Sequence, residues 1–238
     1  MLESKNNNKE VAAIFDLDGT LYTGHLWSGL VKHHLKHKLK RFSVYAYVAS
    51  HMPLWLAGKL RLVREETYKS IWGQDMPFLL KGLKKDEVVA IYRWITDYYL
   101  MPLLRTDILD LVKRHKKRGH TTILLSGSFD DFLQVVRQKL GVDFAVGTKL
   151  EVIDNVYSGR IVKPMGFGIN KVKLLKDFLS EANVEVDLRK SFAYADSISD
   201  APMLEITGNP IATYPDTRLL NLAKQRGWQI IPATFCQD

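Results

Sequence analysis

At 238 residues, 46% hydrophobic and 25% charged, the chain has the composition of a globular protein with a full core. No run of about 18 uncharged apolar residues occurs, which argues against a membrane-spanning helix, and the lone Cys236 leaves no partner for an internal disulfide. The net charge of +8 favours anionic partners (nucleic acid, an anionic membrane or phosphorylated small molecules) without choosing among them.

From the N-terminus, Met1 to Glu10 is polar and lacks the apolar centre of a signal peptide. With the single cysteine, this leads to the expectation of a reducing cytoplasm. Val11 to Phe15 predicts a buried parallel strand that runs into the tight loop Asp16-Leu17-Asp18-Gly19-Thr20. Gly24 to Leu100 is rich in Leu, Trp and Tyr and shows no strand alternation. It predicts a helical insertion, punctuated at Pro53 and Pro77, with Pro102 marking the return. A helix over Asp107 to Lys117, stopped at Gly119, leads to a second strand, Thr121 to Leu125, ending at Ser126-Gly127-Ser128. Asp130 to Leu140 predicts the next helix, closed at Gly141. A small hairpin follows, with arms Lys149 to Ile153 and Tyr157 to Val162 turning at Asp154-Asn155. Lys171 to Ser180 predicts a helix before a third strand, Phe192 to Ala195, which ends at Asp196. A short fourth strand is expected at Ile211-Ala212 and a last helix over Thr217 to Gln225, near Gly227.

Strands alternating with helices point to an α/β fold, a Rossmann-like parallel sheet with helices on both faces. The expected division is a core of residues 1–22 and 103–238 carrying an inserted helical cap of residues 23–102. In such open sheets ligands bind beyond the carboxyl ends of the strands. Three predicted strands end at Asp16/Asp18, Ser126 and Asp196, which would gather carboxylates and a hydroxyl at one edge. A carboxylate cluster with no Cys or His close by in sequence suits a hard cation such as Mg²⁺.

Four segments resemble, in order, the motifs of the haloacid dehalogenase-like hydrolases: Asp16-x-Asp18-Gly19-Thr20, Ser126-Gly127, Lys171 and Asp196-Ser-Ile-Ser-Asp200. The insertion between the first two motifs, Ser126-Gly127, the hairpin, Tyr214-Pro215-Asp216 and Gly227-Trp228 are similar to subfamily IB, the branch of phosphoserine phosphatase and its relatives. The resemblance implies a Mg²⁺-dependent phosphomonoester phosphatase working through an aspartyl-phosphate. Asp16 would be the nucleophile and Asp18 the general acid and base. An acid at Asp18 favours a phosphatase or mutase over an ion-pumping ATPase. Mg²⁺ would be held by Asp16, the Asp18 carbonyl and Asp196, with Asp200 orienting the metal shell or Lys171. Ser126, Gly127 and Lys171 would bind the phosphoryl oxygens. A phosphotransferase using the same intermediate is the alternative, and a polyanion-binding module without catalysis a remote one. Carboxylates at the sheet edge would repel nucleic acid, so none is expected as a partner.

The expected substrate is a small phosphorylated molecule like phosphoserine, or a lipid phosphate. Phosphoserine phosphatases usually carry an acid nine positions after the nucleophile, and here that position is His25. Ala195 and Ser197 stand where that enzyme tends to have glycines. Leu26 to Leu62 mixes Lys32, Lys36, Lys38, Lys40 and Arg41 with Trp27, Phe42, Tyr45, Tyr47 and Trp55. Peripheral membrane contact through this basic cap is one expectation; a basic outer face over an apolar bundle core is the other and is preferred. His33, His34 and His37 are read as part of a solvated basic face rather than a metal site. Lys113 to His120 is read as the positively charged end of a helix. Tyr45, Tyr47, Trp55, Trp72, Trp94, Tyr98 and Tyr99 are expected to be cap core more than a binding box.

Overall fold

In the computed structural model, which describes residues 9–60 and 62–232, the apolar run near the N-terminus forms β1 (Ala12–Phe15). Cys236 and most of the polar opening, Met1 to Asn8, lie outside the described residues. Between β1 and β2 come α1 (Leu26–Lys36), α2 (Arg41–Lys59), α3 (Glu65–Asp75) and α4 (Lys85–Ile95). Tighter turns of helix at Met76–Leu80 and Met101–Leu103 each carry a proline in the first turn, where its missing N–H costs nothing. Then follow α5 (Thr106–Lys117), β2 (Thr121–Phe129), α6 (Asp130–Leu140), β3 (Phe144–Thr148) and the hairpin β4 (Leu150–Ile153) and β5 (Val156–Ile161). The chain closes with α7 (Ile169–Glu181), β6 (Phe192–Ala195), α8 (Ala201–Glu205), β7 (Asn209–Thr213), α9 (Thr217–Arg226) and β8 (Gln229–Ile231). Asp154 and Asn155 turn the hairpin with φ of 48° and 65°, the pair of positive values a two-residue hairpin turn requires.

The main sheet is parallel, in the order β3-β2-β1-β6-β7-β8. Its strands are apolar without alternation because both faces are covered. Ala13 and Phe15 of β1 enter one hydrophobic cluster, and Ala12 and Ile14 enter the other. The first cluster continues without a break into the inserted helices, through Leu26, Leu30, Val88, Ile91 and Tyr92 to Phe132 and Leu133 of α6. Adjacent strands β1 and β6 feed crossovers that leave in opposite directions. That is the switch point where an open α/β sheet forms a crevice.

Several expectations needed correction. β3 and β8 were not foreseen: β3 is a five-residue strand that carries Gly147, and β8 is a three-residue edge strand. β2 does not stop at Leu125 but runs to Phe129, with an irregularity in its pairing to β3 between those residues. Pro53 does not punctuate the insertion; it sits inside α2. Pro53 and Ala49, four residues before it, both face solvent, so the carbonyl deprived of its helical partner can be hydrated. The solvated histidine face is also wrong for two of its members. α1 turns Leu26, Leu30, His33 and His34 inward at helical spacing, while Lys32, Lys36, Lys38 and His37 remain outside. The His34 ring lies 3.0 Å from the Leu79 carbonyl oxygen, which satisfies its buried nitrogen. The seven aromatics divide: Tyr47 and Tyr99 are buried, whereas Tyr45, Trp55 and Tyr98 are exposed.

Candidate active site

β1 delivers Asp16 at its carboxyl end, and the Asp16 N–H still completes the ladder by donating to the Tyr194 carbonyl of β6 at 2.9 Å. One strand over, β6 ends at Asp196. The two carboxylates therefore meet at the switch point, as the sequence predicted. Lys171 arrives from the first turn of α7, which begins after Gly168 at a φ of 58°. Its Nζ donates to Asp16 Oδ1 at 2.7 Å and lies 2.7 Å from Asp200 Oδ1, in a pair of contacts almost closed to solvent.

Carboxylate oxygens of Asp16, Asp196 and Asp200 lie within 4.8 Å of one another. Burial pushes Asp16 well above the usual carboxylate range; Lys171 pulls it back, while Asp200 and Asp196 push further. Asp196 is pushed up to about 6 by burial and then by Asp200. Burial alone would lower Lys171, but Asp16 and Asp200 outweigh it and keep the ammonium charged. Three carboxylates against one ammonium leave negative charge that a proton or a further cation would offset. An all-oxygen donor set at this spacing fits a hard dication such as Mg²⁺.

The loop after β1 is shaped to reach this cluster. Gly19 has a φ of 89°, and a Cβ there would fall 2.2 Å from Asp196 Oδ2. No other residue lets this backbone approach the carboxylate so closely. Thr20 Oγ1 donates to Asp196 Oδ1 at 3.0 Å, and Arg105 Nε donates to the Gly19 carbonyl at 3.3 Å. Asp18 is held apart from the cluster. Its Oδ1 accepts from Tyr22 OH at 2.5 Å and from the Leu26 N–H at 2.9 Å, and its Oδ2 accepts from Ser128 Oγ. The first helical turn of the insertion thus fixes the orientation of Asp18.

Ser126 and Gly127 follow from β2. Ser126 Oγ accepts from the Ser128 N–H at 3.2 Å, which leaves its own proton to donate elsewhere. A Cβ on Gly127 would lie 3.1 Å from the Gly166 carbonyl oxygen. Thr148 of β3 ties the two glycine segments together, donating to the Gly127 carbonyl at 2.7 Å and accepting from the Gly166 N–H at 3.0 Å. Asp16, Asp18, Ser126, Gly127, Lys171, Asp196 and Asp200 all line one cavity of about 390 Å³.

The rest of that cavity corrects an expectation, since Tyr47, Trp55 and Trp72, read as cap core more than a binding box, line it. Trp27, Tyr47, Trp55 and Trp72 from the inserted helices, with Met165 and Phe167 from the loop before α7, form an aromatic wall opposite the acids. Tyr22, Thr20, Ser128 and Asp216 were also missed as site residues. Asp216 accepts from the Leu219 and Ile198 N–H groups at 2.8 and 2.9 Å, and its own N–H donates to the Asp196 carbonyl at 2.7 Å. Tyr22, four residues beyond Asp18, and Asp216, a helix-capping residue after a proline, carried a local signal. The aromatic wall had only its composition.

The profile of the haloacid dehalogenase-like hydrolases matches residues 13–205. The chain belongs to that family. Among curated relatives, a phosphoserine phosphatase of Mycobacterium tuberculosis is 28% identical over 225 residues, covering 92% of this chain and 70% of its own. A histidinol-phosphatase of Neisseria meningitidis is 27% identical over 154 residues, or 64% of this chain and 69% of its own. Among solved structures, a protein of unknown function from Bordetella pertussis superposes with a TM-score of 0.77 at 24% identity, covering 94% of this chain and 98% of that one. A phospho-aspartyl intermediate analogue of phosphoserine phosphatase gives 0.59 at 20% identity, with 93% and 92% covered. These similarities establish the α/β fold of the family.

Proposed function

We propose that the chain is a Mg²⁺-dependent phosphomonoesterase that works through an aspartyl-phosphate on Asp16. The observation that carries this is the meeting of Asp16, Lys171, Asp196 and Asp200 at the carboxyl ends of β1 and β6, with Ser126 and Gly127 in the same cavity. Bound Mg²⁺ would be held by Asp16, Asp196 and the Asp18 carbonyl, and would offset the charge that keeps an anionic ester away from an anionic carboxylate. Asp16 attacks phosphorus, the bond from phosphorus to the ester oxygen breaks, and Asp18 protonates the leaving oxygen. Asp18 then takes a proton from water, which attacks the phosphoenzyme and releases phosphate. Lys171 neutralises charge beside Asp16, and the Ser126 hydroxyl and Gly127 N–H receive phosphoryl oxygens. Asp200 holds Lys171 in place by its ion pair.

Residues 23–102 would act as the cap that selects the alcohol. The lining of the cavity contains no acid beyond Asp16, Asp18, Asp196 and Asp200 among the described residues, so the ammonium of phosphoserine has no dedicated partner. His25 lines the wall at that point. The aromatic side favours an ester whose alcohol presents an apolar or aromatic body, which includes a lipid phosphate. Phosphate release from phosphoserine, histidinol phosphate, aryl phosphates and lysophosphatidate, with and without Mg²⁺, tests this reading. Metal-dependent turnover lost in Asp16→Asn is expected, with phosphoserine the poorer substrate. Turnover that survives Asp16→Asn would overturn the mechanism.

A further inference from the structure

The outer side of α2 is an unpartnered apolar strip. Phe42, Tyr45, Ala49, Met52 and Leu56 recur at steps of three and four, with Leu60 next in line just beyond the helix, so they share one face. All six are exposed, Phe42 at 90%, Leu60 at 62% and Tyr45 at 57%. The opposite side of the same helix buries Val44, Tyr47 and His51. Packing therefore accounts for one face of α2 and leaves the other to solvent, at a cost a single scattered apolar residue would not incur.

The charged side chains of α2 and its immediate flanks, from Lys32 to Arg64, have one sign. No acidic residue occurs anywhere between Asp18 and Glu65. Lys36, Lys38 and Arg41 cluster at one end of α2, and Lys59 and Arg64 at the other, all exposed. A second copy of this chain docked through the same strip would bring like charges together, which disfavours a symmetric dimer. The described helices include none long and apolar enough to cross a membrane, so the strip cannot be one side of a span.

We propose that α2 is a docking face for an anionic lipid bilayer, its apolar strip entering the headgroup boundary and its terminal cations pairing with lipid phosphates. Aromatic residues with polar tips, such as Tyr45, suit that boundary. The helix is also a wall of the cavity, through Tyr47 and Trp55, and Trp55 is itself 39% exposed. Docking would thus set the catalytic cavity beside the lipid surface. The proposal does not depend on any catalytic step, and its test reads binding rather than turnover.

The whole protein is mixed with vesicles of phosphatidylcholine alone, or of phosphatidylcholine with about one-third phosphatidylglycerol, and the bound fraction is read by flotation. Binding is expected to the anionic vesicles and to weaken as salt screens the cations. The double variant Phe42→Ser/Leu56→Ser, whose side chains face solvent and do not line the cavity, is expected to lose at least about tenfold in partitioning. Its hydrolysis of a water-soluble aryl phosphate is expected to stay unchanged, which verifies the fold. Failure of the native protein to bind anionic vesicles, or equal binding by native and variant, would overturn the proposal. So would a dimer in solution that dissociates in the variant while vesicles are ignored, since that assigns the strip to a second copy.

Discussion

The Lys171 ammonium lies 2.7 Å from Asp16 Oδ1 although 155 residues separate them in the chain. This buried pair ties the end of β1 to the first turn of α7, and it gives Lys171 a structural role besides the phosphate-binding one proposed for it. Replacing Lys171 by Met leaves Asp16 and Asp200 facing each other without a cation. Breaking a buried ion pair in this way costs about 3–5 kcal/mol. A lowered melting temperature in metal-free buffer, partly restored by millimolar Mg²⁺, is the expected result. Activity should fall even where the fold is restored.

Asp16→Asn should lower turnover at least about 10⁴-fold, because the proposed nucleophile is lost outright. The same change removes one buried carboxylate from a crowded set. Thermal stability in the absence of metal is therefore expected to rise while activity disappears, a trade-off common where a site stores like charge. Paired melting curves and phosphate release separate this from simple misfolding.

Mg²⁺ should raise the melting temperature of the native protein by mass action, about 2.7 kcal/mol at a hundredfold excess over its dissociation constant. Asp196→Asn is expected to abolish most of that rise. Isothermal titration of the two proteins with Mg²⁺ would check it directly. Equal metal affinity in both would remove Asp196 from the donor set.

Tyr22→Phe keeps the ring in the core but withdraws the hydroxyl that donates to Asp18 Oδ1. With Leu26 N–H and Ser128 Oγ still bonded, Asp18 is loosened rather than freed. A fall in kcat of about tenfold is expected, a fraction of what a general acid supplies, with KM nearly unchanged. A change confined to KM would place Tyr22 in substrate binding instead.

His115 provides a pH dependence independent of the site. It is buried against Phe15 and Phe192, with Nε2 2.8 Å from Tyr194 OH and Nδ1 2.8 Å from His120 Nδ1. Burial, then His120 and Arg118, lower it from 6.5 to about 4. Between those values the unfolded chain binds the proton more readily than the native one, so stability falls as pH drops through that window. His33, lowered to about 4 mainly by burial, adds to the same slope. Asp16 and Asp196, both raised, take up protons in the native state as pH falls and oppose this slope. The His115 contribution is therefore read as a difference: the urea midpoint of His115→Gln should gain on that of the native protein as pH drops from 6.5 towards 4.

The strands that end in chemistry were legible because each is a short apolar run stopped by a polar residue, as at Phe15-Asp16 and Ala195-Asp196. β3 and β8 lacked that contrast, one having only Phe144-Ala145-Val146 as an apolar run before Gly147 and the other confined to three edge residues. The burial of His33 and His34 was hidden by their lysine neighbours, whose charge suggested solvent for the whole helix. Position along the turn, and not composition, decides which side chains go in. The aromatic wall was harder still, since Trp27, Trp72 and Phe167 meet only after separate elements have packed. Local pattern carries no information on such a meeting.

Asp216 connects the last helix to the fourth motif. One carboxylate caps α9 and accepts from the Ile198 N–H, while the same residue's N–H holds the Asp196 carbonyl. The final helix is therefore in thermodynamic contact with the acidic cluster through Asp196. Whatever frays α9 loosens the loop that aims Asp196, and whatever tightens that loop steadies α9. With Mg²⁺ held as proposed, damage near the C-terminus of the fold would then register first as a weakened grip on that cation, before any loss of secondary structure could be seen.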